Sequence, residues 1–422
     1  MSSAVLARAF RALRHRNYRL FFAGQIVSLI GTWMTSTATV WLVYRLSGSP
    51  FLLGVVGFAG QIPAAVLTPL AGVYIDRWNK HRVLIAAQVA SMLQSFALAG
   101  LVFSGHASIP ALAFLNVLQG VINAFEMPCR QSLVVSLIND KNDLGNAIAL
   151  NSSMFNAARL IGPALGGVVI AAAGEGWCYF IDGISFFAVL VSLVLMRVAS
   201  PPSVARGTDA WAQFREGCRY TFGSPPLRSL LILLAVSSLV GAPYTVLMPV
   251  FAKTILGGGP HTLGFLMGAG GAGALLAALT LAARSSVRGL TGLVPRAGAL
   301  FGLGLILFSF SRSAPLSMIL ILLAAAGFMV QVAGSNTILQ TIVDDDKRGR
   351  VLSLFVLSFL GTAPFGSLFA GAVADRWGAP FALQVGGVCC LAGALWFVRQ
   401  LPSVRAAIRP IYERLSVERG TI

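Results

Sequence analysis

Charge is scarce in this chain. Only 11% of its 422 residues are Asp, Glu, Lys or Arg, where a soluble domain carries about a quarter. Hydrophobic residues make up 56%, and the mean hydropathy is +0.80. Polar surface of that extent cannot cover a water-exposed globule of this size, which excludes a soluble enzyme. Histidine is scarce too. His15, His81, His106 and His261 all fall at the ends of apolar runs or between them. No HExxH, GxSxG or Gly-x4-Gly-Lys-Ser/Thr stretch is present, so no zinc site, nucleophile elbow or ATP loop is expected. A membrane-embedded enzyme would need convergent ligands or a nucleophile–base pair at depth, and none is visible. No metal or other cofactor is expected. The five cysteines are an odd number without CxxC, and Cys389 and Cys390 are adjacent. They read as small apolar packers rather than a disulfide framework.

What is present is twelve long apolar runs: 18–46, 51–75, 83–104, 109–137, 146–173, 177–198, 228–252, 262–283, 291–310, 315–342, 351–374 and 380–400. A bilayer core needs roughly 20 apolar residues per helix. Backbone polar groups in lipid must be satisfied internally, which only helices achieve at such lengths. The 45 glycines suit close helix–helix contact in lipid.

Lysine and arginine outnumber acids 31 to 14, a net charge of +17. In a soluble protein that balance would suggest nucleic acid. Here twenty-six of the 31 basic residues lie in the two end arms and the even-numbered gaps, and four (Arg45, Lys253, Arg312, Arg376) lie on the other side. One, Arg159, falls inside a run. The positive-inside bias therefore predicts both termini in the cytoplasm, with the lipid bilayer rather than nucleic acid as partner. The first run is far longer than a signal-peptide core. Leu6, Phe10 and Leu13 between Arg8, Arg11 and Arg14 suit either an interfacial helix or a frayed arm. Trp211, Phe214, Cys218 and Phe222 beside Arg215 and Arg219 pose the same choice in the long central gap.

That gap divides the chain into two halves of six runs: 1–198, a cytoplasmic linker 199–227, and 228–422 with a cytoplasmic tail. The halves resemble each other. Gln131–Asn139 (QSLVVSLIN) lies over Asn336–Asp344 (NTILQTIVD) at an offset of 205, and Gly162-Pro163 over Ala363-Pro364 at 201. The expected fold is an all-α integral membrane protein of twelve transmembrane helices in two pseudo-symmetric six-helix bundles.

The gap after run two reads Gly72-Val-Tyr-Ile-Asp76-Arg77-Trp-Asn79-Lys80-His-Arg82. It resembles the G-x-x-x-D-R-x-G-R-K loop of the major facilitator superfamily, with Asn79 replacing the second glycine. Asn also tolerates a left-handed turn. In that superfamily the loop latches the two halves on the cytoplasmic side. The resemblance therefore implies a gate at Gly72, Asp76, Arg77 and Lys80, with Arg348 and Arg350 in the corresponding gap of the second half. Run five carries Gly162-Pro163-Ala-Leu-Gly166-Gly167, similar to the G-P-x-x-G-G antiporter motif of drug exporters. Proline kinks a helix and glycines admit a close neighbour, which together make a hinge.

A narrower resemblance runs through nearly the whole chain. Asn17–Trp33, Trp41–Gly54, Glu126-Met-Pro-Cys-Arg130 and Lys347-Arg-Gly-Arg-Val351 are similar to the enterobactin-exporter-like branch, which also holds macrolide efflux pumps. One departure stands out. Other drug pumps have an arginine in R-x-x-Q-G on span four, and this chain has Asn116 with Gln119-Gly120. No relay role assigned to that arginine carries over.

Ionisable groups at bilayer depth are costly and are functional candidates by default. Glu126, Arg159 and Asp182 are the candidates for proton coupling. Glu126 and Arg159 sit level, about 20 Å from the same cytoplasmic turn at 1.5 Å per residue, so an ion pair between runs four and five is expected. That pair suits either a proton relay or a structural clamp. Asp182 lies about one turn from the outer face. Polar stripes at helical spacing mark inward faces: Gln25, Ser28, Thr32 and Thr35 on run one; Asn116, Gln119, Asn123 and Glu126 on run four; Tyr244 on run seven. In the resembled superfamily runs one, four, seven and ten line the cavity, and the repeat places Gln331 of run ten opposite Glu126.

The function expected is secondary active export of a hydrophobic or amphipathic small molecule, a siderophore or a drug, from the cytoplasm in exchange for protons. The resemblance implies a bacterial inner membrane and a monomer. A solute importer or a lipid flippase of the same superfamily is the alternative. Substrate identity is not written in the sequence, because permissive apolar cavities leave little to read.

Overall fold

The computed structural model describes residues 10–75, 78–138, 140–196, 210–284 and 289–418. Among the described residues there is helix and connecting turn and no strand. Twelve helices are long and apolar enough to cross a membrane, as many as the apolar runs. Spans one to six are Arg16–Ser47, Pro50–Ile75, Lys80–Phe103, Ile109–Ser136, Lys141–Ala173 and Glu175–Leu195. Spans seven to twelve are Pro225–Ile255, Pro260–Ala282, Leu290–Phe310, Ala314–Ile342, Asp346–Trp377 and, from the last apolar run, Ala379–Glu418. A 3-10 turn at Arg11–Arg14 precedes span one, and a linker helix at Ala210–Gly223 precedes span seven.

Local chemistry sets the ends. Span one stops at Gly48, which takes a left-handed conformation (φ 64°) that costs glycine nothing. Asp140 caps span five by accepting from Asn142 N, so that helix starts a full turn before its apolar stretch. Asn79 works the same way. Its φ is −69° and its side chain accepts from Arg82 N. The residue replacing the loop glycine is therefore a helix cap and not a left-handed turn.

Spans seven and eleven are not continuous α-helix. Single π-turns occur at Ser237–Gly241 and Phe251–Ile255 in span seven and at Leu357–Gly361 in span eleven. Pro243 and Pro364 follow two of them and remove a backbone donor. A π-turn leaves a carbonyl without its normal partner. Ser238 Oγ donates to the Phe359 carbonyl at 2.6 Å, tying the two interrupted helices together.

The chain forms two compact units. One comprises Met1–Arg206 with Met248–Ala272, the other Gly207–Leu247 with Gly273–Ile422. Residues 248–272 thus pack with the first half, which departs from the expected division at residue 228. The cause is a small-residue seam. A Cβ on Gly167 would lie 2.6 Å from the Pro260 carbonyl and 2.9 Å from Gly264 Cα, so spans five and eight meet backbone to backbone.

Within the first unit span one packs on spans five and six, span two on four, and span three on four and six. Within the second, span seven packs on twelve and span nine on ten and twelve. The pairings one–six and three–six recur as seven–twelve and nine–twelve, as a repeat requires. Large apolar side chains such as Phe114, Val194 and Leu395 point outward, the pattern of a lipid-facing surface. The five cysteines are free, and Cys129, Cys178 and Cys390 are buried.

Candidate functional site

The polar stripe of span four is half-buried along its length. Gln119 Nε2 donates to Asn123 Oδ1 at 2.9 Å and to Ser91 Oγ at 3.2 Å. Asn116 Nδ2 donates to its own helix at Leu112 O, 2.8 Å away. Glu126 closes the stripe. Arg130 Nε lies 3.2 Å from its Oε1, and Gln88 Nε2 of span three donates to it at 3.5 Å. The expected Glu126–Arg159 pair is therefore not formed. Arg130, one turn further along the same helix, reaches Glu126 without bridging two helices. The Arg159 guanidinium instead lies over the Trp33 ring, 5.7 Å from its centroid, a cation–π contact.

Span one turns most of its polar face inward to its own bundle. Gln25 and Ser28 are buried, Thr32 is exposed, and Thr35 donates to Asp182. Gln331 is fully buried and donates from Nε2 to Ser237 Oγ at 2.8 Å. Tyr244 is buried edge-on against Phe301. Gln25, Ser28, Tyr244 and Gln331 are thus buried side chains, and helical periodicity alone cannot distinguish a buried face from a wetted one.

Asp182 is the buried acid of span six, 2% exposed. Thr35 Oγ1 of span one and Ser95 Oγ of span three each donate to its Oδ2 at 2.9 Å. Ser185 Oγ sits 3.4 Å from Oδ1. Among the described residues no Lys, Arg or His pairs with it. Gly31 allows the approach: a Cβ there would lie 2.6 Å from Oδ1. Two turns outward, Glu175 is held by Arg45 through Nε at 2.7 Å and Nη2 at 3.3 Å.

At the loop between spans two and three, Asp76 and Arg77 lie outside the described residues, and of Gly72 only its helical backbone is described. Lys80 Nζ donates to Ser132 Oγ of span four at 2.9 Å. Arg350 Nη1 pairs with Glu216 of the linker helix at 2.6 Å, and Arg348 is half-buried beside it. Lys347 Nζ lies 4.6 Å from the Tyr220 ring centroid. Burial, then the carboxylates of Asp344 and Asp346, push the Tyr220 phenol above its usual range. In the first unit Arg11 and His15 both pair with Asp143 at the head of span five. These first-unit partners lie some 130 positions apart in the chain, beyond the reach of any local pattern.

The hinge residues face three neighbours. Gly162 meets Trp33 and Gly166 meets Met34 of span one, while Pro163 and Gly167 meet Gly264 of span eight. Among the described residues no group of His, Cys, Asp and Glu is arranged to hold a metal.

Comparison with known proteins agrees with this architecture. The family of transmembrane secretion effectors matches residues 7–414. The staphyloferrin A transporter of Staphylococcus aureus is 27% identical over 90% of this chain and 96% of its own. The multidrug efflux pump Tap of Mycolicibacterium fortuitum is 27% identical over 82% of this chain and 87% of its own. The crystal structure of the nucleoside transporter NupG superposes with a TM-score of 0.72 at 12% identity, covering 91% of this chain and 98% of its own. A family match over almost the full length, with twelve spans in repeated pairings, makes this chain a multi-pass membrane transporter of the major facilitator superfamily, in its transmembrane secretion effector family.

Proposed function

We propose that the protein exports a hydrophobic or amphipathic small molecule, a siderophore or a drug, from the cytoplasm in exchange for protons. It works as a monomer in a bacterial inner membrane with both termini in the cytoplasm. The observation that carries this reading is the match of residues 7–414 to a secretion family, together with relatives named for siderophore transport and multidrug efflux. The site chemistry supports the substrate class. The half-buried stripe of span four offers neutral amides at Asn116, Gln119 and Asn123, and its one acid is matched by Arg130. Neutral amides with apolar neighbours suit amphipathic molecules better than phosphorylated or multiply anionic ones. The seam of Gly162, Pro163, Gly166 and Gly167 supports a hinge in span five. Gly72, Asp76, Arg77, Lys80, Arg348 and Arg350 form the cytoplasmic gate. The coupling proton is carried among Glu126, Arg159 and Asp182.

The test is efflux from cells lacking the gene and cells restored with it, assayed with catecholate and hydroxycarboxylate siderophores and with ethidium. Restoration should speed release of at least one probe, and a proton uncoupler should abolish the gain. Faster uptake in place of release would refute the exporter reading.

A further inference from the structure

We infer that Asp182 is the residue on which this transporter holds its exchangeable proton. The inference rests on the proton-antiport reading above and narrows three candidates to one by geometry. Arg159 has its guanidinium on Trp33 and does not exchange protons at any relevant pH. Glu126 has a permanent counter-charge in Arg130 at 3.2 Å. Protonating Glu126 would turn that compensated pair into a lone charge on Arg130, which opposes turnover. Asp182 is the opposite case. It is 2% exposed, and its polar partners are hydroxyls alone.

From span one Asp182 meets Thr35 and the bare backbone of Gly31; the nearest charge on that helix, Arg45, is occupied by Glu175. From span three it meets Ser95, while Lys80, His81 and Arg82 stand at the far cytoplasmic end, where His81 bonds the Leu193 carbonyl. On its own helix Cys178 lies one turn away with its thiol directed to the Gly166 carbonyl, and Tyr179 bonds Thr39. On span five, packed beside span six, Arg159 faces Trp33. The cage is therefore neutral on every side.

Hydroxyls suit both states of such a group. Each can donate to a carboxylate, and one can turn to accept the O–H of a protonated carboxyl. A proton can thus enter or leave without stranding a polar atom, which a ring of fixed amide N–H donors would not permit. The 2.9 Å spacing between hydroxyl and carboxylate oxygens is direct hydrogen-bond contact. The cage is also built from three helices. Span one supplies Thr35 and the Gly31 contact, so displacing span one from span six removes a donor and opens Oδ1 to water. Proton occupancy and the position of span one are then linked, as exchange transport requires.

The experiment is infrared difference spectroscopy of the purified full-length protein in detergent between acid and alkaline pH. A titrating protonated-carboxyl carbonyl band should appear. It should vanish in Asp182→Asn and persist in Glu126→Gln. Ser95→Ala and Thr35→Val keep the acid but remove a donor, and should move the band to higher frequency. These two variants carry the test if Asp182→Asn does not elute as a monodisperse protein. A band that survives Asp182→Asn, a band lost in Glu126→Gln, or a band unmoved by both cage variants overturns the assignment. The antiport reading fails separately: ethidium efflux that ignores an uncoupler would remove proton coupling from the function even with the Asp182 band in place.

Discussion

The two halves share a plan but not a chemistry. At the repeat offset of 205, Glu126 of span four corresponds to Gln331 of span ten. In the third and sixth spans of the first half, Ser95 donates to Asp182. In the third and sixth of the second, Gln384 Nε2 donates to Ser309 Oγ at 3.1 Å. Acids in one half are answered by amides in the other. The clasp of Arg45 on Glu175 lies in the first half, and Val250 and Gly378 stand near the corresponding places of the second. The second half instead carries the π-turns in spans seven and eleven, where spans one and five run as unbroken α-helix. The halves thus differ in kind: Glu126 and Asp182 lie in the spans of the first, and the π-turns in those of the second.

The docks of the segments that precede spans one and seven show the same divergence. The offset that aligns the spans also aligns Arg11 with Glu216 and His15 with Tyr220. Each pre-span segment docks on the head of the fifth span of its half, but with reversed charge. Arg11 meets Asp143 in the first half, and Glu216 meets Arg350 in the second. Opposite signs preserve each local pair and discourage either segment from docking on the wrong half.

Breaking the acid–amide division should give the largest effect. Gln331→Glu replaces the amide that donates to Ser237 Oγ with a carboxyl. A charge at such depth costs on the order of 3 kcal/mol, so thermal unfolding in detergent should fall far below that of Gln331→Met, which loses about 1 kcal/mol with its hydrogen bond. Equal unfolding temperatures for the two variants would mean the second bundle tolerates acids after all. Next comes the clasp. Arg45→Ala leaves Glu175, 5% exposed, without its partner and should cost about 2 kcal/mol; the double change with Glu175→Ala should recover part of it. A double change as destabilised as the two singles combined would deny the coupling.

The docks rank third. Asp143 is nearly buried and holds two partners, so Asp143→Ala should cost about 1–2 kcal/mol. Glu216 is largely exposed, and Glu216→Ala should cost less than about 1 kcal/mol. The order of the two unfolding temperatures is the check, and restoration by Arg11→Asp with Asp143→Arg sharpens it. Smallest is Ser309→Ala. It removes one neutral hydrogen bond to Gln384 and should lower stability by about 0.5–1 kcal/mol, with uncoupler-sensitive efflux unchanged.

The spans were legible because each is an apolar run longer than the bilayer is thick, and nothing else satisfies its backbone. Their edges were not, since the helix heads at Lys141 and Asp346 are polar and are set by caps rather than by hydropathy. The π-turns had no signal beyond scattered serine, glycine and proline. The polar stripes are expected from their period to face inward, and Thr32 is exposed. Gln25, Ser28 and Gln331 nonetheless ended in packed interior, because a period of 3.6 reports a face and not what fills the space before it. Glu126 and Arg159 were level along their helices, but height does not fix azimuth. Arg130 was nearer.

The sequence by itself determined the class: twelve spans and the clustering of basic residues in alternate gaps follow from local hydropathy and charge, which act residue by residue. The tertiary structure alone decided which charges meet. Arg11 with Asp143, Arg45 with Glu175 and the neutral hydroxyl cage of Asp182 join residues about 90 to 150 positions apart. Such pairings depend on how helices rotate and close against one another, and that is set by the sum of all their contacts rather than by any one segment.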